Sequence, residues 1–135
     1  MRSMGLDFGD RTIGVAVSDQ LGWTAQSKGV IRRVNLSDDF EKIKKYINEY
    51  NIEEIIVGLP LNMDGTAGKR VEKTEQFVNF LKKRVEIPVK MWDERLSSNQ
   101  AERILLEADL SRSRRKKVID QLAAAIILQS YLDSK

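Results

Sequence analysis

The sequence has no cysteine and no histidine. The first absence excludes disulfides, zinc–thiolate sites and thiol nucleophiles. The second removes the commonest general base and the commonest metal ligand. Any catalysis must rest on carboxylates, Lys, Tyr or Ser, and carboxylate ligands favour hard cations such as Mg²⁺ or Mn²⁺. No apolar run approaches the roughly 18 residues that span a bilayer, and the N-terminus carries no apolar signal core. The chain therefore reads as a cytosolic protein without a membrane partner. Neither charge sign dominates: 23 Lys+Arg against 20 Asp+Glu leaves +3. That balance permits a nucleic-acid partner without arguing for one, so the placement of the charges has to decide.

What is present fits a soluble globular protein, with 41% hydrophobic and 32% charged residues. A length of 135 residues is enough for one domain with one core, expected to span 1–135. Met4–Phe8 and Thr12–Ser18 read as two strands joined at Gly9-Asp10-Arg11, and Lys28–Val34 as a third. Ser37 offers an N-cap to a helix with Phe40, Ile43, Ile47 and Tyr50 at helical spacing. "EEIIVGLP" reads as a buried strand stopped by Pro60, "LNMDGTAG" as a loop, and Val71–Val85 as a helix. "IPVKMWD" gives a fifth strand. Ser97 or Ser98 can cap a helix to about Ala108, and a last helix runs from about Arg114 to Leu132. Three β elements followed by alternating α and β predict an α/β domain with a mixed sheet.

Aspartate is a poor strand residue and expensive to bury, yet Asp7 stands in the first strand. Strand alternation puts Met4, Leu6 and Phe8 on one face and Gly5, Asp7 and Gly9 on the other. Glycines on both sides clear space around the carboxylate. The plain alternative is an aspartate bonded to a turn or paired with Arg11. Asp93 and Glu94 stand where the fifth strand ends, the position at which open α/β sheets bind ligands; the alternative there is a helix-entry acid favoured by the dipole. In the last helix Asp120 shares a face with Ala123, Ala124, Ile127 and Tyr131. Three carboxylates brought together must bind cations or share protons. Two hard cations so held could clamp a phosphodiester.

With these residues the sequence resembles the YqgF/RuvX family of the ribonuclease H-like superfamily, on "LDFGDRTIGVAVSD", "IIVGLPLNMDGTAG", "DERLSS" and "VIDQLAAAIILQSYL" in that order. The resemblance implies a ribonuclease H-like fold, a five-stranded mixed sheet of order 3-2-1-4-5 flanked by helices. It implies a nuclease that needs divalent metal, Mg²⁺ or Mn²⁺, and acts on the ribosomal RNA precursor to mature the 5′ end of the small-subunit (16S) RNA. Holliday junction resolution on branched DNA is the older suggestion for the family. The family's acidic positions, catalytic and metal-holding, fall on Asp7, Glu94 and Asp120, with Asp93 the alternative to its neighbour. Along an extended strand Asp93 and Glu94 point to opposite faces. Glu94 has the longer reach toward Asp7, and Asp93 suits hydrogen bonding to the turn that follows. In the better-known resolvases the fourth strand ends in an acid; here it ends "VGLP", so the second acid must come from the next strand.

"LNMDGTAGKR" fails as a Walker A loop, since Met63 replaces its first Gly and Arg70 its Ser/Thr. Asn62, Asp64 and Gly65 suit a turn, which the resemblance makes a substrate-side loop. "SRSRRKK", with Arg112, Arg114, Arg115 and Lys116, is the densest basic run and precedes Asp120; Arg11 and Arg95 are near the acids in sequence. All six are candidate phosphate contacts, against the plain reading of a solvated face. Two other functions compete with the nuclease. The first motif also looks like the first phosphate motif of actin-like sugar kinases, but those need two such domains. A non-catalytic nucleic-acid-binding module is the other.

Overall fold

The computed structural model describes residues 1–62, 64–95 and 111–135, with the side chains of 112 and 115–121 outside that description. Strands β1 (Ser3–Phe8), β2 (Thr12–Ser18), β3 (Ala25–Arg32), β4 (Glu54–Leu59) and β5 (Val89–Asp93) form one sheet in the order β3-β2-β1-β4-β5. β1–β2 and β2–β3 are antiparallel, whereas β1–β4 and β4–β5 are parallel, so the sheet is mixed and β1 is central. Helices α1 (Leu36–Tyr50), α2 (Lys69–Lys82) and α3 (Arg112–Asp133) complete the described elements. The helix expected from Ser97 or Ser98 to Ala108 lies outside the described residues.

The period-2 pattern of β1 decides the layers. Met4, Leu6 and Phe8 are buried among Ile43, Phe77 and Leu81, on the face covered by α1 and α2. Phe8 stacks on Phe77 with ring centroids 4.2 Å apart. The opposite face packs on α3 through Ala124, Ile127, Leu128 and Tyr131. The helix comes in close because β1 carries Gly5 there. A Cβ on Gly5 would stand 2.8 Å from the Leu128 Cβ and 2.9 Å from the Ala124 carbonyl.

Four elements differ in their bounds from the sequence reading. β3 begins at Ala25 and ends at Arg32, because Val34 is exposed and leads straight into the next cap. That cap is Asn35, not Ser37: its side chain accepts from the Asp38 N–H at 2.9 Å. Helix α3 starts at Arg112, with Ser111 as the cap, and α2 spans Lys69–Lys82.

Candidate functional site

Asp7 is the penultimate residue of β1, on the face that α3 covers, and Gly14 is its partner on β2. On its other side β4 runs in parallel register, Leu6 beside Val57, so the next step brings Asp7 level with Gly58. Gly58 in turn pairs with Trp92, and the Glu94 N–H donates to the Leu59 carbonyl at 3.1 Å, just past the end of β5. Asp7 and Glu94 thus flank a middle strand that has no side chain at this level. Two strand spacings of ~4.8 Å separate them, and the reach of a glutamate closes that gap. The glycine leaves room for both side chains that meet there: a Cβ at position 58 would stand 2.6 Å from the Glu94 Oε1 and 2.6 Å from the Ile127 Cδ1, and both ends would have to shift.

The two carboxyl groups share a hydrogen bond. Burial raises the pKa of Glu94, the Asp7 charge and that hydrogen bond raise it further, and the value reaches about 7. The Arg70 charge works in the opposite direction. Near neutrality the pair therefore holds a proton on Glu94, donated toward Asp7, or needs a cation in its place. Its donors are hard carboxylate oxygens on a half-buried pair, which is the donor chemistry Mg²⁺ and Mn²⁺ take. Among the described residues no third acidic side chain joins the two. Asp120 lies on α3 four residues before Ala124, whose Cβ is 3.4 Å from where a Gly14 Cβ would be; its side chain lies outside the described residues.

Asp93 adds a smaller upward push on Glu94, but its own partner is Arg95. It binds Arg95 through both carboxylate oxygens (Nη2–Oδ2 2.7 Å, Nε–Oδ1 3.1 Å) and accepts from the Arg95 N–H at 3.0 Å. Those bonds hold its carboxylate below the usual range despite partial burial. Arg95 is thereby committed to Asp93, and its Nη1 stands 3.3 Å from where a Gly65 Cβ would lie. Above it the loop closes on itself. The Asn62 N–H donates to the Thr66 carbonyl (3.0 Å), the Gly65 N–H to the Asn62 carbonyl (2.8 Å), and the Thr66 hydroxyl to Asp64 (2.6 Å). Gly65 takes the left-handed φ of +88° that this turn needs.

Arg11 is exposed in the β1–β2 turn, and Arg114 is exposed in the first turn of α3. Arg112, Arg115 and Lys116 belong to the same first turns, their side chains outside the described residues. That first turn holds no acidic residue. Sequence reading missed two contributors. Arg70 was weighed only as a misfit in a phosphate loop, although a cation opening α2 directly after a loop was the available signal. Gly58 passed as one more residue of a buried strand.

Comparison with known proteins follows the same architecture. Residues 1–134 match the family described as "RuvX: Holliday junction resolvase". The chain belongs to the RuvX family. A Halothermothrix orenii protein named "Putative pre-16S rRNA nuclease" is 60% identical over 133 residues, 98% of this chain and 95% of that protein. Among solved structures, Thermus thermophilus RuvC in complex with a Holliday junction substrate matches with a TM-score of 0.64 at 12% identity, over 99% of this chain and 94% of that one. A hexokinase of the ROK family from Thermus thermophilus matches with a TM-score of 0.52 at 21% identity, over 76% of this chain but only 37% of the kinase. These two likenesses speak for the fold, which is that of the ribonuclease H-like resolvases. No helix among the described residues is long and apolar enough to cross a membrane.

Proposed function

We propose that this RuvX-family chain is a nuclease that hydrolyses phosphodiester bonds with a divalent cation, Mg²⁺ or Mn²⁺, and that its substrate is the precursor of the small-subunit ribosomal RNA. The observation that carries the reading is the Asp7–Glu94 pair, two hydrogen-bonded carboxyl groups of which one is pushed up to about 7. Such a pair stores repulsion that a cation relieves. Asp7 and Glu94 would hold the cation, with Asp120 of α3 as the third carboxylate. When bound, it supplies positive charge that activates a water and stabilises the leaving oxygen.

The chain's own residues do the rest. Arg70 and Arg11 neutralise the phosphates that flank the scissile bond, and the basic start of α3 draws the nucleic acid in. The Asn62–Thr66 turn borders the cleft on the substrate side, and Arg95 is held by Asp93 beneath it. The RNA substrate rests on the name carried by the 60% identical relative. Branched DNA is the second reading, favoured by the family description. The sugar-kinase reading loses ground because the chain covers only 37% of the kinase it resembles. Processing of a ribosomal RNA precursor supports a cytoplasmic location as part of the same reading. Purified protein and its Asp7→Asn variant, each given precursor ribosomal RNA and a branched DNA with Mg²⁺ or Mn²⁺, test the proposal. Wild-type cleavage of the RNA that the variant loses is the expected result; selective cleavage of the branched DNA would transfer the substrate, and no cleavage of either would leave a binding module.

A further inference from the structure

A groove of about 360 Å³ opens between β3 and α1, on the side of the molecule away from α2 and β5. Val30 and Arg32 of β3 and Lys42, Lys45, Tyr46 and Glu49 of α1 line it. Three cations face one carboxylate. Arg32, Lys42 and Lys45 are all exposed, so their charges are available to a ligand. Tyr46 supplies a fixed ring, half-buried and stacked at 6.4 Å on Tyr50 one turn along the helix. It can lie this close to β3 because position 29 is a glycine; a Cβ there would be 2.9 Å from the Tyr46 hydroxyl. Cations around an anchored aromatic ring in a nucleotide-sized groove are the features that bind single-stranded nucleic acid, phosphates by charge and a base by stacking.

Asp7 pairs with Gly14 and Gly14 with Val30, so the rim of the groove stands in the same row of the sheet as Asp7. Its other wall, α1, covers the face opposite the one that Asp7 occupies. A strand seated at Asp7 and Glu94 would reach the groove by passing the exposed Arg11 turn and rounding the β3 edge. An acidic peptide would satisfy the charges, but it has no use for the stacked ring.

We propose that the β3–α1 groove is a second substrate contact, binding a phosphate and its base some nucleotides from the scissile bond. This rests on the nucleic-acid reading of the Asp7–Glu94 site. The test measures binding of a 20-nucleotide single-stranded RNA by fluorescence anisotropy across a salt series, in EDTA so that no cleavage intervenes. The triple variant R32Q/K42Q/K45Q should bind more weakly, its log–log salt slope shallower by about 2, at ~0.7 for each lost single-strand contact. Lys44 is exposed on the same helix and lies outside the groove, so K44Q should keep the wild-type slope. Melting temperatures near wild type for both variants establish that folding is intact. An unchanged slope in the triple variant, or an equal loss in K44Q, overturns the proposal. So does a polyglutamate peptide, or inorganic phosphate alone, that needs the three cations while the RNA slope does not. Cleavage is scored separately: a wild-type protein that cuts nothing but shows the slope difference refutes the nuclease reading and leaves the groove standing.

Discussion

Two glutamates at opposite ends of neighbouring strands have opposite fates. Glu54 opens β4 and is only 2% exposed, yet its carboxylate is held below the ordinary range. Burial pushes it up, but the Ser3 hydroxyl (2.8 Å) and the ammonium groups of Lys135 (3.1 Å) and Lys90 (3.4 Å) more than offset that, and the Tyr131 hydroxyl stands at 3.4 Å. Glu94 follows β5, is half-buried, and meets another acid; its pKa rises to about 7. The fold can therefore satisfy a buried carboxylate completely where structure alone is at stake. At Asp7 and Glu94 one acid faces another, and the raised value of Glu94 records a repulsion that a cation would relieve.

The contrast can be broken at either end. The largest effect is expected from Glu94→Gln, which should abolish single-turnover cleavage while melting at or above the wild-type temperature in EDTA. A variant that cleaves normally would remove this strand end from the mechanism. Next comes the pH dependence without metal. Because the folded pKa of Glu94 is raised from 4.5 to about 7, the folded state binds the proton more tightly than the unfolded one. Its contribution is fully favourable below about pH 4.5 and is lost as pH climbs to about 7, by on the order of 3 kcal/mol. The stability difference between wild type and Glu94→Gln, followed from pH 5 to 8 by urea unfolding, should turn against wild type as pH rises, and Mg²⁺ should restore it. A flat difference would mean the pair is not coupled. Glu54 has the reverse sign, its stabilisation present above the ordinary carboxylate range and lost as pH falls through it.

A smaller effect is expected at Glu54 itself. Glu54→Gln should cost about 2 kcal/mol, less than the ~3–5 of a fully buried pair cut in half, because Lys90 and Lys135 are half exposed and can turn to water. The same urea curves measure it, and cleavage should survive. Smallest is Asp93→Asn, roughly 1 kcal/mol for the weakened Arg95 clamp, with activity retained. Lost activity with unchanged melting would move the catalytic role from Glu94 to Asp93.

Much of this was legible in the chain. The face of Asp7 followed from strict alternation in β1, and the separate surroundings of Asp93 and Glu94 from strand geometry plus one methylene. The strand order came from a resemblance and not from periodicity, which is blind to which strands become neighbours. β3 was misread by several residues because an edge strand with little burial lacks an apolar pattern. Asn35 and Ser37 both cap well, and only the Asp38 N–H decides between them. Arg70 could not be placed beside Glu94 without the path of the loop before it. Glu54 looked like any strand residue because its partners come from positions 3, 90, 131 and 135.

Gly58 has a mechanical consequence. With no side chain between them, the distance from Asp7 to Glu94 is set by the hydrogen-bond lattice of β1, β4 and β5, whose pitch of about 4.8 Å per strand hardly varies. The gap is gauged by backbone and not by packing, and a methyl group at position 58 would press on the Glu94 side chain that spans it.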